Sequence, residues 1–327
     1  MNDSPKFTRR VFLDGCLASV PVAAALAGMA NAAEPADRVS FEVKNPARFR
    51  ILQLTDLHYV TDRPEVSKEK TNALIRELLE KTQPDLVMIT GDLWADNEGG
   101  LGVQQMHEAI AEFDSWGLPW AYTWGNHDKL DDFSVGHKAF AEGKNSLYRG
   151  VETNGNYAID LATADGKRIA QLVCLNTTTK GLGDEQRAWL HGLALADGEA
   201  IPRLAFFHIP LKQYADIWDS EVASGIKGEA VCLEEENGSS LAALKEAGVR
   251  ACFCGHDHVN DYSGVADGIE LVYGRATGGY GADRVDKGGK VIDFNCETGE
   301  YQWYSVTRKE AEWHPQPGSR VEVPKKD

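Results

Sequence analysis

The sequence predicts one α/β domain carrying two β-sheets, on three observations. Apolar strands alternate with helical patterns between residues 49 and 124, short strands dominate after residue 249, and five polar motifs each close an apolar strand. Phe49–Leu54 reads as a strand, and residues 67–83 read as a helix because Leu74, Ile75, Leu78 and Leu79 recur at helical spacing. Residues 85–89 form the next strand, 103–116 the next helix and 119–124 the next strand, an order that implies βαβ units and a partly parallel sheet. Residues 157–161 and 168–175 flank the turn Asp165-Gly166 and read as a hairpin. A helix over 184–196, a buried strand over 204–207 and a helix over 239–247 follow. Strands over 249–254, 259–265, 269–273, 290–294 and 301–306 form a meander that suggests the second sheet. A single domain over 33–327 is expected, with its core at about 49–306 and a loosely held tail after Lys309.

Residues 1–32 read as an export signal. Arg9-Arg10-Val11-Phe12-Leu13 precedes an apolar stretch to about Ala27 and a small-residue cleavage site ending at Ala32, the pattern of a Tat-type leader. The apolar run is too short for a bilayer that needs about 20 apolar residues, so no stable membrane span is expected in the mature protein. The Tat export machinery is then a partner, and the location is periplasmic or secreted. With 34 Lys+Arg against 50 Asp+Glu the net charge is −16, which disfavours nucleic acid as a partner. Scattered cysteines do not form a disulfide framework; buried thiols are the main expectation, with one disulfide through Cys232 as the alternative.

The motifs at the strand ends are Asp56-Leu-His58, Gly91-Asp92, Gly125-Asn126-His127-Asp128, His208 and Gly255-His256-Asp257-His258. They hold five of the nine histidines. Taken singly they are weak: Asp after a strand commonly caps a helix, His208 beside a proline can be structural, and Gly-His-x-His can be a structural zinc clamp. Together, at the carboxyl ends of strands that converge on one crevice, they can meet. Imidazole with carboxylate suits Fe, Zn or Mn, and Asp92 between two sites can bridge them. Two divalent ions would clamp a phosphate and generate a hydroxide nucleophile between them, with His127 serving the reacting oxygens and Asp128 orienting an imidazole.

This set of motifs resembles the calcineurin-like metallophosphoesterase superfamily, over roughly residues 49–306. The resemblance implies an αββα sandwich, two mixed sheets flanked by helices, with a dinuclear site at the strand ends. It implies that Asp56, His58, Asp92 and His258 hold one metal, that Asp92, Asn126, His208 and His256 hold the second, and that His127 is the catalytic histidine that ligates neither. Within the superfamily, Tyr273-Gly-Arg-Ala-Thr-Gly-Gly-Tyr-Gly281 is similar to a segment of the short purple-acid-phosphatase-like group. The tyrosine ligand of true purple acid phosphatases is replaced by Ala95, and their Asp-x-Gly by Asp56-Leu-His58, so a tyrosinate–iron centre is not expected and the metals stay open, as two divalent or mixed-valence ions.

The glycine-rich stretch is either a turn between strands or a phosphate cradle in which Arg275 forks onto the anion and Tyr280 meets the leaving group. Trp94 and Trp124 either fill the core or line the pocket. The expected function is hydrolysis of small phosphate monoesters by a metal-bridging hydroxide. A phosphodiesterase acting on cyclic nucleotides or glycerophosphodiesters is the alternative, and a non-catalytic metal-binding interaction protein is the alternative of another class.

Overall fold

Ser67 accepts a hydrogen bond from the Lys70 backbone N–H and opens the first helix, and Gln83 closes it in a left-handed conformation, so both ends lie where the sequence signals place them. The computed structural model describes residues 36–59, 67–177, 181–197 and 201–324, and the expected export signal over 1–32 lies outside the described residues. The chain runs β1 (Arg38–Glu42), β2 (Phe49–Leu54), α1 (Lys68–Thr82), β3 (Leu86–Thr90), α2 (Gly102–Ser115), β4 (Trp120–Thr123) and α3 (Phe133–Glu142). It continues through β5 (Tyr157–Ala162), β6 (Arg168–Cys174), α4 (Asp184–Asp197), β7 (Arg203–Phe206), α5 (Lys212–Asp219), β8 (Ser224–Lys227) and α6 (Ser240–Glu246). It ends with β9 (Val249–Cys254), β10 (Asp261–Ala266), β11 (Ile269–Tyr273), β12 (Gly288–Phe294), β13 (Tyr301–Thr307) and β14 (Arg320–Glu322).

Two mixed sheets result, in the orders β13-β12-β2-β3-β4 and β1-β5-β6-β7-β9-β11-β10-β8-β14. Strands β2, β3 and β4 are parallel, as are β6, β7, β9 and β11, so within each set the carboxyl ends share one edge. Alternation along β9 shows the layering. Ala251 and Phe253 join the core that contains both sheets and the apolar faces of α1 and α2, whereas Cys252 and Cys254 join the layer under α4, α5 and α6. Helices thus flank the paired sheets. Among the described residues no helix is long and apolar enough to cross a membrane, and the described cysteines are all free thiols, with only Cys232 exposed.

The C-terminal meander does not form a sheet of its own. β10 and β11 extend the larger sheet, while β12 and β13 join β2 in the smaller one, so the glycine-rich stretch after Tyr273 is the crossing between sheets. Pairing decides this: β12 lies antiparallel to β2 over Phe49–Leu54, an interaction between segments far apart in sequence. The tail after Lys309 is also better anchored than the sequence implies. Trp313 bridges Ser305, β14 pairs with β8, and Arg284 donates to the Val323 and Pro324 carbonyls.

A buried ion cluster joins the sheets. Asp261 on β10 accepts from Lys290 Nζ on β12 at 2.6 Å and from Ser305 Oγ on β13 at 2.7 Å, and pairs with Arg275 Nε at 2.6 Å. Lys290 also lies 4.1 Å from the centre of the Trp303 ring. Removing the carboxylate leaves two cations in the core without their counter-ion. Asp261→Ala is therefore expected to cost about 3–5 kcal/mol in denaturant unfolding of metal-free protein. Arg76→Ala, which breaks the surface pair with Glu112 at 2.7 Å, should cost less than about 1 kcal/mol.

Candidate metal centre

Each chemical motif leaves the carboxyl end of a strand at the edge where the two sheets meet. Asp56 and His58 follow β2, Asp92 follows β3, Asn126 and His127 follow β4, His208 follows β7, and His256 and His258 follow β9. The backbone turns sharply at these ends: Asp56, His58, Asp92 and His256 have φ of 55°, 44°, 54° and 80°. Such left-handed conformations cost about 1–3 kcal/mol each outside glycine and persist where the surroundings enforce them. Close approach leaves no room for a side chain at two of the motif glycines: a Cβ at Gly125 would lie 2.2 Å from Asp92 Oδ1, and one at Gly255 1.9 Å from Thr55 Oγ1.

The side chains gather into two groups with Asp92 in both. Donor atoms of Asp56, His58, Asp92 and His258 lie within 4.8 Å of one another, as do those of Asp92, His208 and His256. His58 Nε2 is 2.9 Å from His258 Nε2 and 3.5 Å from Asp92 Oδ2, while His258 Nε2 is 3.6 Å from Asp56 Oδ1. In the second group, His208 Nε2 lies 3.1 Å from Asp92 Oδ2, 3.1 Å from Asn126 Oδ1 and 3.2 Å from His256 Nδ1.

These residues fit metal ions. Nitrogen and oxygen ligands at about 2.0–2.2 Å from one ion stand about 3.0–3.5 Å from each other, the spacing seen across the ring nitrogens and carboxylates here. Asp92 Oδ2 is a buried acceptor with no hydrogen-bond partner among the described residues. Burial lowers the His58 imidazole to about 4 and that of His256 to about 3, and drives His258 well below its ordinary value. Neutral rings with open lone pairs are what coordination requires. Burial would raise the Asp92 carboxyl, but the charge of His208 outweighs it and holds the group well below the carboxylate range. His208 is itself raised to about 10, against its burial, by Asp92, and carries a proton that a bound cation would displace. Asp56 and His58 with His258 could thus hold one ion, His208, His256 and Asn126 the other, and Asp92 both.

His127 belongs to neither group. Its backbone N–H donates to Asp92 Oδ1 at 2.9 Å, and its half-buried ring stands edge-on to His58, with centroids 5.4 Å apart. Ring nitrogen Nδ1 meets Asp96 Oδ2 at 3.2 Å, and Asp96 Oδ1 pairs with Lys129 at 2.6 Å. Sequence reasoning missed Asp96; its signal was an acid four residues after Asp92 in the same loop. It also missed Lys287, whose Nζ donates to the His258 carbonyl at 2.7 Å and whose amine is lowered to about 8 by burial.

Two expected roles are corrected. Asp128 reaches no imidazole among the hydrogen bonds of the described residues: its carboxylate accepts from the backbone N–H groups of Asp92, Leu93 and Gly125 at 2.7–2.8 Å and from the Tyr122 hydroxyl at 2.7 Å. Beneath the site, it positions the loops. Arg275 is buried and committed to Asp261 and the Asp286 carbonyl, because its side chain turns into the space between the sheets. Tyr280 does reach the site, with its ring centroid 4.9 Å from His58 and 5.7 Å from His258. Trp94 and Trp124 are fully buried core residues.

The shared carboxylate leads to a stoichiometric prediction. Metal analysis should find two ions per wild-type chain, about one in His58→Ala and fewer than one in Asp92→Asn; equal content in all three would contradict the shared role of Asp92.

Comparison with known proteins agrees with this geometry. The calcineurin-like phosphoesterase family profile matches residues 49–260. An Arabidopsis thaliana protein named "Probable inactive purple acid phosphatase 28" is 26% identical over 314 residues, covering 80% of this chain and 79% of that protein. The Saccharomyces cerevisiae protein named Phosphatase DCR2 is 27% identical over 66% of this chain, which spans only 45% of the yeast protein. Among solved structures, a dimetal phosphatase from Danio rerio superposes with a TM-score of 0.52 at 13% identity, covering 76% of this chain and 93% of that one, a likeness of fold. With both sheets, the strand-end motifs and the family match in agreement, the chain belongs to the calcineurin-like phosphoesterase family.

Proposed function

We propose that this protein is an exported, dinuclear metal-dependent phosphoesterase that hydrolyses small phosphate monoesters. The observation that carries the reading is the pair of donor groups sharing buried Asp92, with His127 held beside them on Asp96. When bound, two cations would neutralise phosphate oxygens and lower the pKa of a water held between them. The rest falls to the chain. His127, outside both donor groups, is placed to give a proton to the departing oxygen, and Asp96 fixes the direction of its ring through Nδ1. Tyr280 flanks the side of the site formed by His58 and His258, where a leaving group can pack. A chain of net charge −16 favours small esters over polyanions.

One observation favours the phosphodiester reading. With Arg275 tied to Asp261, the cation expected to fork onto the phosphate is turned away, which removes one counter-charge for the dianion of a monoester. A non-catalytic metal-binding role would accord with the name of the Arabidopsis relative. Against it, every expected metal donor is present in this chain and brought to one place.

The discriminating assay compares p-nitrophenyl phosphate with bis-p-nitrophenyl phosphate on protein loaded with Fe, Zn or Mn. Faster turnover of the monoester is expected; a large preference for the diester would overturn that choice, and silence on both with two ions bound would sink the hydrolase reading. His127→Ala should lower kcat about 10²–10⁴-fold without loss of metal. Asp96→Asn should lower kcat by a smaller factor at similar KM and shift the pH–rate profile, whereas a purely structural role would change stability alone.

The export reading rests on the Arg9-Arg10 leader and its small-residue cleavage site. Arg9→Lys/Arg10→Lys is expected to retain the protein in the cytoplasm when cell fractions are assayed, and export that survives the change would refute the Tat route.

A further inference from the structure

The segment between β8 and α6 is stitched to the metal centre by its own polar groups. Glu229 Oε1 accepts the Val259 backbone N–H at 2.6 Å, and Glu236 Oε2 accepts those of Lys212 at 2.5 Å and Gly238 at 2.9 Å. The Cys232 backbone N–H donates to Asp257 Oδ1 at 3.2 Å, and Asp257, within the Gly-His-Asp-His turn, also accepts the Tyr273 hydroxyl at 2.5 Å. These bonds set Cys232 beside His256.

Glu234 is used differently. Its Oε1 lies 3.8 Å from Cys232 Sγ and 3.9 Å from His256 Nε2, and one donor atom from each of the three residues lies within 4.8 Å of the others. His256 turns Nδ1 toward His208, so Nε2 faces this cluster. The His256 side chain is 7% exposed, and Nε2 has no hydrogen-bond partner among the described residues. Sulfur, nitrogen and oxygen ligands around one tetrahedral ion stand about 3.4–3.7 Å apart, a few tenths of an ångström from two of these separations.

We propose that Cys232, Glu234 and His256 Nε2 form a third, accessory site for a soft divalent ion of the zinc and cadmium class, and that filling it inhibits the dinuclear centre. A thiolate, imidazole and carboxylate set prefers such ions to magnesium or calcium, and exposed Cys232 gives them a way in. Binding releases two protons to solvent, one from the Cys232 thiol and one from Nε2 when Nδ1 already serves the inner ion. The ring is then an imidazolate shared by two cations, and the added positive charge beside the inner ion changes the field that ion presents to water and substrate. The inhibitory part rests on the phosphoesterase reading; the binding part does not.

Cadmium ion is the probe, added to the full-length protein already loaded with Mn²⁺. The expected result is a thiolate-to-cadmium ultraviolet band that saturates at one equivalent, with p-nitrophenyl phosphate hydrolysis falling about tenfold or more. Cys232→Ser should lose the band and the inhibition while keeping the hydrolysis of the Mn²⁺-loaded protein. An undiminished band in Cys232→Ser, or no band in the wild type, overturns the site. Equal inhibition of both proteins, or a band without inhibition, overturns the coupling. If Mn²⁺-loaded protein hydrolyses nothing, the phosphoesterase reading fails separately, and the band still decides the site.

Discussion

The buried carboxylate of Asp128 is the interaction on which the rest of the metal centre depends. It gathers the backbone N–H groups of Asp92 and Leu93 from the loop after β3 and that of Gly125 from the loop after β4, and it takes the Tyr122 hydroxyl as well. Burial, and then the Asp92 charge, push its carboxyl up to about 6, so the group is costly where it sits. Hydrogen bonds from donors that water cannot reach offset that cost. The gain is positional: Asp92 is held with a positive φ and with Oδ2 bare toward the other donors. Asn126 and His127 enter the site from the same pinned turn, so one carboxylate positions Asp92, Asn126 and His127 together.

The second constraint is the crossing between the sheets. After Tyr273 the chain leaves the larger sheet and enters the smaller one at Gly288, passing over the strand-end edge. Thr277 N–H donates to the Thr55 carbonyl at 2.9 Å and Gly278 N–H to that of Asp56 at 3.0 Å. A Cβ at Gly278 would lie 2.3 Å from the Asp56 and Leu57 carbonyl oxygens, so only glycine permits this contact. The crossing brings Tyr280 against His58 and His258 and sends Arg275 into the ion cluster between the sheets. Residues five positions apart in one short segment therefore serve opposite ends, one the site and one the union of the two sheets.

Charge is organised on two scales. The chain as a whole is strongly acidic, yet at the centre burial keeps His58, His256 and His258 neutral while Asp92 stays ionised. A set of neutral nitrogen donors around a shared anion is matched to cations, and the cations would in turn supply the positive charge that an anionic ester needs. An acidic exterior is compatible with an anionic ester because cations held by these interior donors would set the field near the site.

Much of this was legible in the chain itself. Periodicity placed Phe49–Leu54, Val249–Cys254 and Ile269–Tyr273 with their full boundaries, because short buried strands bounded by turn residues carry a local signal. The residues of the candidate metal centre were legible too, since each follows such a strand and parallel strands bring their ends to one edge. Helices α3 and α5 and strands β1, β8 and β14 were not, being short or on sheet edges where local pattern is weak. What only the tertiary structure decided was partnership: which sheet takes β12, whether Arg275 meets a phosphate or Asp261, and whether Asp128 meets an imidazole or the backbone. A residue's type and its place on a strand fix the chemistry it can do. The neighbour it does it with comes from elsewhere along the chain, 36 residues away for Asp92 with Asp128 and 243 for Arg50 with Asp293, and such pairing is settled by packing.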